Sequence, residues 1–210
     1  LNALFSYCIT TFVAIFVIVD PFALVPIYLM FGERFSPRDM DSIRNRAVLI
    51  GGTILLTFAV TGLGIFKAFG ITLPAFQIAG GLLLLQIGVE QLNAKRTRVR
   101  EDEKGESMER DDVSIFPLAM PLIAGPGAIS TVVLFASDAE TMAHRTGLVA
   151  SLVLVMLVTW ICLRAAPALY RVLGTTGLNL VTRIMGIILA AVGVQFVMNG
   201  IKAARAAGLF

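Results

Sequence analysis

Histidine occurs once in these 210 residues, at His144, and cysteine twice, at Cys8 and Cys162. A His/Cys metal centre needs several such ligands at set spacings, so none is expected. The two cysteines fall in separate apolar runs, and imply neither a disulfide nor a redox compartment. Charge is also scarce. Asp, Glu, Lys and Arg make up 15% of the chain against 57% hydrophobic residues, and mean hydropathy is +0.86. A soluble domain of this length carries more polar surface. No Ser–His–Asp pattern, no H-E-x-x-H and no Gly-rich Lys loop occurs. The expectation is therefore an all-α integral membrane protein that is neither an enzyme nor an ATP-driven pump and needs no cofactor. The net charge of +3 is too small to argue for nucleic acid and reflects topology.

Apolar runs supply what charge does not. They extend over Ala3–Phe31, Ala47–Phe66, Ile71–Val89, Val113–Ser137, Thr146–Leu163 and Ile184–Ile201. About 20 apolar residues span a ~30 Å hydrocarbon core, so six transmembrane helices are expected. Asn93–Asp112 is polar with mixed charges and reads as a linker between residues 1–92 and 113–210. Arg164–Arg183, with Pro167, Gly174 and Gly177, reads as a helix end and an interfacial turn.

Two of the runs are interrupted. In Ala124-Gly125-Pro126-Gly127-Ala128-Ile129-Ser130-Thr131 a helix should continue, but proline lacks the N–H that a helix interior needs. Proline suits the first position of a new helix. A helix is therefore expected to end near Ala124 and a second to begin at Pro126. A shift of 105 residues places Pro126 on Pro21 and Gly125 on Asp20. The same shift places Gly186 on Gly81, Gly193 on Gly88 and Gln195 on Glu90. The chain thus reads as a duplication with discontinuous first and fourth helices. Three spans per half is an odd number, so the halves are expected to be inverted relative to each other, a 3+3 repeat.

Helix N-termini carry unpaired N–H groups and partial positive charge, which suit an anion. Asp20 is placed to cap the helix that starts at Pro21, ahead of Phe22. Its mate Gly125 leaves the second terminus bare for a substrate carboxylate. Gly127 would let a small ligand approach, with Ala128 beside it and the Ser130 and Thr131 hydroxyls one turn on. Asp20 is a structural cap, a substrate-binding and coupling group that faces the substrate ammonium, or both, and Glu90 is a second candidate for coupling or gating. Gln195 is a pocket candidate because its mate is Glu90.

Basic residues orient the chain. Thirteen of the 17 fall in one set of connections: Arg34, Arg38, Arg44, Arg46, the six between Lys95 and Arg110, Arg164, Arg171 and Arg183. By the positive-inside rule that side is cytoplasmic, and both termini are expected outside.

V-D-P-F at Val19–Phe22, P-L-I-A-G-P-G-A-I-S at Pro121–Ser130 and R-I-M-G-x-x-L-A-A-x-G-V-Q-F at Arg183–Phe196 resemble the MarC family of bacterial inner-membrane proteins. The resemblance covers essentially the whole chain. It implies a plasma-membrane protein related to carriers of glycine, alanine and similar neutral amino acids. The expected partners are such a substrate, the bilayer and a coupling proton, and the oligomeric state stays open. An exporter of another small solute or drug is the alternative, as is a scaffold or regulator working through the charged linker.

Overall fold

A computed structural model describes residues 2–32, 34–92, 114–139 and 141–208. Among the described residues there are helices and no strands. They are α1 (Asn2–Val19), α2 (Pro21–Phe31), α3 (Pro37–Ala68), α4 (Leu73–Leu92), α5 (Ser114–Ile123), α6 (Pro126–Ser137), α7 (Met142–Arg164) and α8 (Ala166–Ala206). The linker expected at Asn93–Asp112 lies outside the described residues. Taking α1 and α2 as one span, five described helices are long and apolar enough to cross a membrane. The sixth expected span is divided between α5 and α6, and α6 alone, with 12 residues, is short for a crossing.

Local signals explain the boundaries. Ser36 accepts the Asp39 N–H at 3.3 Å and Pro37 follows it, so α3 starts ten residues before the apolar run at Ala47. Thr141 accepts the His144 N–H at 3.2 Å at the start of α7. These two caps are also 105 residues apart. α5 is a wide helix, and the Ala124 N–H donates to Ala119 O, five residues back, at 2.9 Å. The turn expected across Arg164–Arg183 is not found as such. The chain bends at Ala165 and again at Gly174 (φ 61°, ψ −175°), and is otherwise helical from Ala166 to Ala206. Only glycine adopts that second geometry without strain, so Gly174 ends one helical piece and the membrane helix begins well before Ile184.

Packing joins the sequence halves to each other. α1 lies on α7, α5 on α3, α2 on α8, α6 on α4, and α4 makes the most extensive contact of all with α8. Apart from α6 with α7 and α7 with α8, every substantial helix pair crosses between residues 2–92 and 114–208. One core, including Ile15, Val25, Ile43, Leu55, Leu118 and Leu152, unites α1–α3 with α5–α7. A second holds Val17, Leu84, Leu189 and Phe196 beneath the α4–α8 pair. The outward faces are apolar as well. Leu49, Val60, Phe69 and Val172 are 70% or more exposed, as suits helices in lipid.

The α4–α8 contact is a crossing of glycines. A methyl on Gly81 would lie 2.6 Å from Gly193 O, and one on Gly193 2.6 Å from Gly81 O. A methyl on Gly88 would lie 2.7 Å from Gly186 O, and one on Gly186 2.9 Å from Gly88 O. As α4 rises from 81 to 88 its partner falls from 193 to 186, so the helices run antiparallel. Small residues let backbones approach this closely.

Candidate functional site

At the first interruption Asp20 has φ 45° and ψ 69°, alone among the described non-glycine residues in taking a positive φ. Asp reaches this left-handed region at less cost than most side chains. Its N–H still donates to Phe16 O at 3.0 Å, which closes α1. Pro21, buried, then opens α2 without an N–H to satisfy. Asp20 Oδ1 accepts the Ala23 N–H at 3.3 Å, and Oδ2 accepts from Gln91 Nε2 at 3.0 Å. The carboxylate is 3% exposed. Phe22, half-buried, stands edge-on to Phe16 at 6.2 Å.

At the second interruption Gly125 is extended (φ −73°, ψ 166°), buried, and offers no side-chain cap to α6. Pro126 takes the first helical position, and Gly127 and Ala128 behind it are buried. The Ser130 hydroxyl donates to Pro126 O at 2.7 Å, and the Thr131 hydroxyl to Gly127 O at 3.0 Å. Both protons are therefore committed to the helix, and each oxygen remains an acceptor. A methyl on Gly127 would collide with Leu84 Cδ2 and lie 3.6 Å from Ile18 Cγ2. Since Ile18 is two residues before Asp20, the two interruptions are neighbours, and Leu84 fills the space over the bare terminus.

The electrostatics differ between them. α2 has its own buried carboxylate at its positive end, whereas α6 has none. The N–H groups at the start of α6 are thus the site's unassigned donors, and Asp20 is its negative group.

Two sequence candidates lie elsewhere. Glu90 Oε1 accepts from Gln86 Nε2 at 3.0 Å, and Gln195 Nε2 donates to Asn199 Oδ1 at 2.8 Å. Both pairs are on the outward faces of α4 and α8. The residue of α4 that does reach Asp20 is Gln91, which is not among the candidates expected from the sequence. A signal for it was present. Residues 84, 88 and 91 follow i, i+4, i+7 and share the face marked by Gly88, while 86 and 90 lie opposite.

At another point of the molecule Trp160 Nε1 donates to Asn45 Oδ1 at 2.7 Å. The Arg44 and Arg164 guanidiniums stand 4.9 and 5.3 Å from the Trp160 ring centroid. Arg44 also pairs with Asp41 at 2.6 Å. The start of α3 and the end of α7 therefore share one end of the molecule. A shallow apolar groove of about 710 Å³ runs along the outer face of α7 from Met142 to Leu157. None of the residues at the interruptions lines it, and its chemistry suits lipid chains rather than a polar solute.

Residues 5–205 match the family described as "MarC family integral membrane protein". The chain is 36% identical over 198 residues to a UPF0056 membrane protein of Buchnera aphidicola, covering 94% of this chain and 93% of that one. It is 34% identical over 202 residues to UPF0056 membrane protein YvbG of Bacillus subtilis, covering 95% and 96%. A UPF0056 membrane protein of Methanocaldococcus jannaschii is 34% identical over 200 residues, covering 95% and 98%. No solved structure matches.

Proposed function

Because the chain belongs to the MarC family of integral membrane proteins, we propose that it is a proton-coupled secondary transporter of small neutral amino acids of the glycine and alanine type. The asymmetry of the two interruptions carries this reading. The substrate carboxylate meets the Gly127 and Ala128 N–H groups at the uncapped start of α6. Its ammonium faces the buried Asp20 carboxylate beside it. Pro21, Phe22, Gly125 and Pro126 shape the floor between them, and Ser130 and Thr131 hold the first turns of α6. Discontinuous helices whose N-termini point at anionic substrate groups are a recurrent transporter device.

In this reading residues 1–92 and 113–210 are inverted repeats joined by a cytoplasmic linker. The glycine crossing supports it. Under the 105-residue shift the pair Gly81–Gly193 becomes Gly186–Gly88, which is the other pair in contact. Such reciprocity is what a two-fold axis between two antiparallel helices requires. Since the halves interleave, alternating access is a motion of the α4–α8 pair against the remaining helices, with Leu84 over Gly127 on the seam. The sharing of one end by Arg44 and Arg164 supports a cytoplasmic assignment for that end, with both termini outside and the chain in the plasma membrane.

Uptake of labelled glycine and alanine into proteoliposomes, with and without an imposed proton gradient, tests the proposal. Saturable, gradient-dependent uptake that Asp20→Asn abolishes is the expected result. Wild-type protein that takes up neither amino acid would refute it. Uptake retained in Asp20→Asn would remove Asp20 from coupling and leave it a helix cap.

A further inference from the structure

Gln91 carries an unusual pairing of a satisfied and an unsatisfied group. Its Nε2 donates to Asp20 Oδ2 at 3.0 Å. Its Oε1 is buried and accepts no hydrogen bond among the described residues. While Asp20 is ionised the amide cannot be turned round to relieve this, because its oxygen would then face a carboxylate oxygen. Gln91 is also held in place from behind. Its Cβ rests on Gly186, where a methyl would lie 2.9 Å away, so the α4–α8 crossing sets the side chain towards Asp20. The corresponding positions in the second half are Gly125 and Phe196, so this polar pair exists on one side of the site only.

A buried carbonyl oxygen without a donor is costly, and burial beside a carboxylate dictates what would satisfy it. The complement to two neighbouring acceptors is a cation with at least two N–H groups. A primary ammonium has three, in tetrahedral array. We propose that Gln91 Oε1 and Asp20 Oδ2 together bind the substrate's ammonium, and that this pair makes the protein selective for primary amines over N-methylated ones. This inference rests on the carrier reading above. It fixes the orientation of the zwitterion, amino end at α1 and α4, carboxylate at the start of α6. A secondary amine keeps two N–H groups but must turn its methyl out of a packed site. A tertiary one retains a single N–H and cannot bridge the two oxygens.

The test is competition of labelled glycine uptake in proteoliposomes by unlabelled glycine, N-methylglycine and N,N-dimethylglycine. Wild type is compared with Gln91→Leu and Gln91→Met. In wild type, competition should weaken at each methylation, with dimethylglycine about tenfold or more poorer than glycine, the worth of one charge-assisted hydrogen bond. In both variants the KM for glycine should rise about tenfold while the discrimination between glycine and dimethylglycine falls towards unity. The methylation series on wild type needs no variant to fold. Equal competition by all three compounds in wild type overturns the inference and leaves the carrier standing. So does an unchanged glycine KM in folded variants. A sodium requirement that the variants raise, without loss of amine discrimination, would assign the two oxygens to a metal cation instead and overturn it too. Absence of any amino-acid uptake by wild type would sink the carrier reading and this inference with it.

Discussion

Replacing Gly193 by alanine places a methyl 2.6 Å from both Gly81 O and Leu85 N and 3.1 Å from Leu85 Cα. These are backbone atoms of α4, and no rotamer change moves them aside. Ordinary contact with carbon begins near 3.5 Å, so the helices must part by roughly 1 Å. Overpacking of this kind costs about 1–3 kcal/mol, and two simultaneous backbone contacts put it at the upper end. The better helix propensity of alanine returns about 1 kcal/mol, for a net loss of about 2 kcal/mol. Gly64 on α3 is the control, since a methyl there meets nothing within 4 Å. Gly64→Ala should be neutral or stabilising by up to about 1 kcal/mol. Joining Gly81→Ala to Gly193→Ala should cost less than the two separately, because one widening of the crossing accommodates both methyls. Heating detergent-solubilised protein and measuring the monodisperse fraction by size exclusion gives the order of melting temperatures. A Gly193→Ala protein as stable as wild type, or a Gly64→Ala protein equally damaged, would refute the crossing as the tight point of the fold.

Gly127→Ala should depress glycine uptake, because its methyl collides with Leu84 Cδ2, and Leu84→Ala in the same chain should restore part of it. Uptake that the second substitution leaves unimproved would mean that Leu84 does not limit the space. At the basic end, Trp160→Phe loses the 2.7 Å bond to Asn45, about 1 kcal/mol, while keeping a ring under the guanidiniums. Trp160→Leu loses the ring too and should cost about 1 kcal/mol more, read as a further drop in melting temperature. Equal losses would show that the two arginines gain nothing from the ring.

The interruptions at Pro21 and Pro126 are legible in the sequence because a missing N–H acts locally, whatever surrounds it. The caps at Ser36 and Thr141 are local too, but they lie in polar stretches outside the apolar runs, so the helices begin earlier than the runs at Ala47 and Thr146 suggest. Membership of the family follows from three separated strings and from a match over nearly the whole chain. What the sequence conceals is helix phase. α4 is apolar on almost every side, so its polar residues do not announce which of them faces inward. Gln86, Glu90 and Gln91 look alike until the glycines are used to orient the helix. The helical run through Arg164–Arg183 was hidden for the opposite reason. Its arginines, proline and glycines are local signals for an end, but only Ala165 and Gly174 depart from the helix. The wide turns of α5 follow from no single residue.

The interleaving of the halves bears on how the chain is made. When synthesis has reached Leu92, α1, α2, α3 and α4 are complete, yet nearly every surface they will bury belongs to helices not yet translated. Gly81 and Gly88 face no partner at that stage, and α1 and α3 wait for α7 and α5. A nascent chain halted there would hold four helices side by side in lipid with little to fasten them. The native arrangement must therefore close late, as the second half enters the bilayer and threads its helices between those of the first.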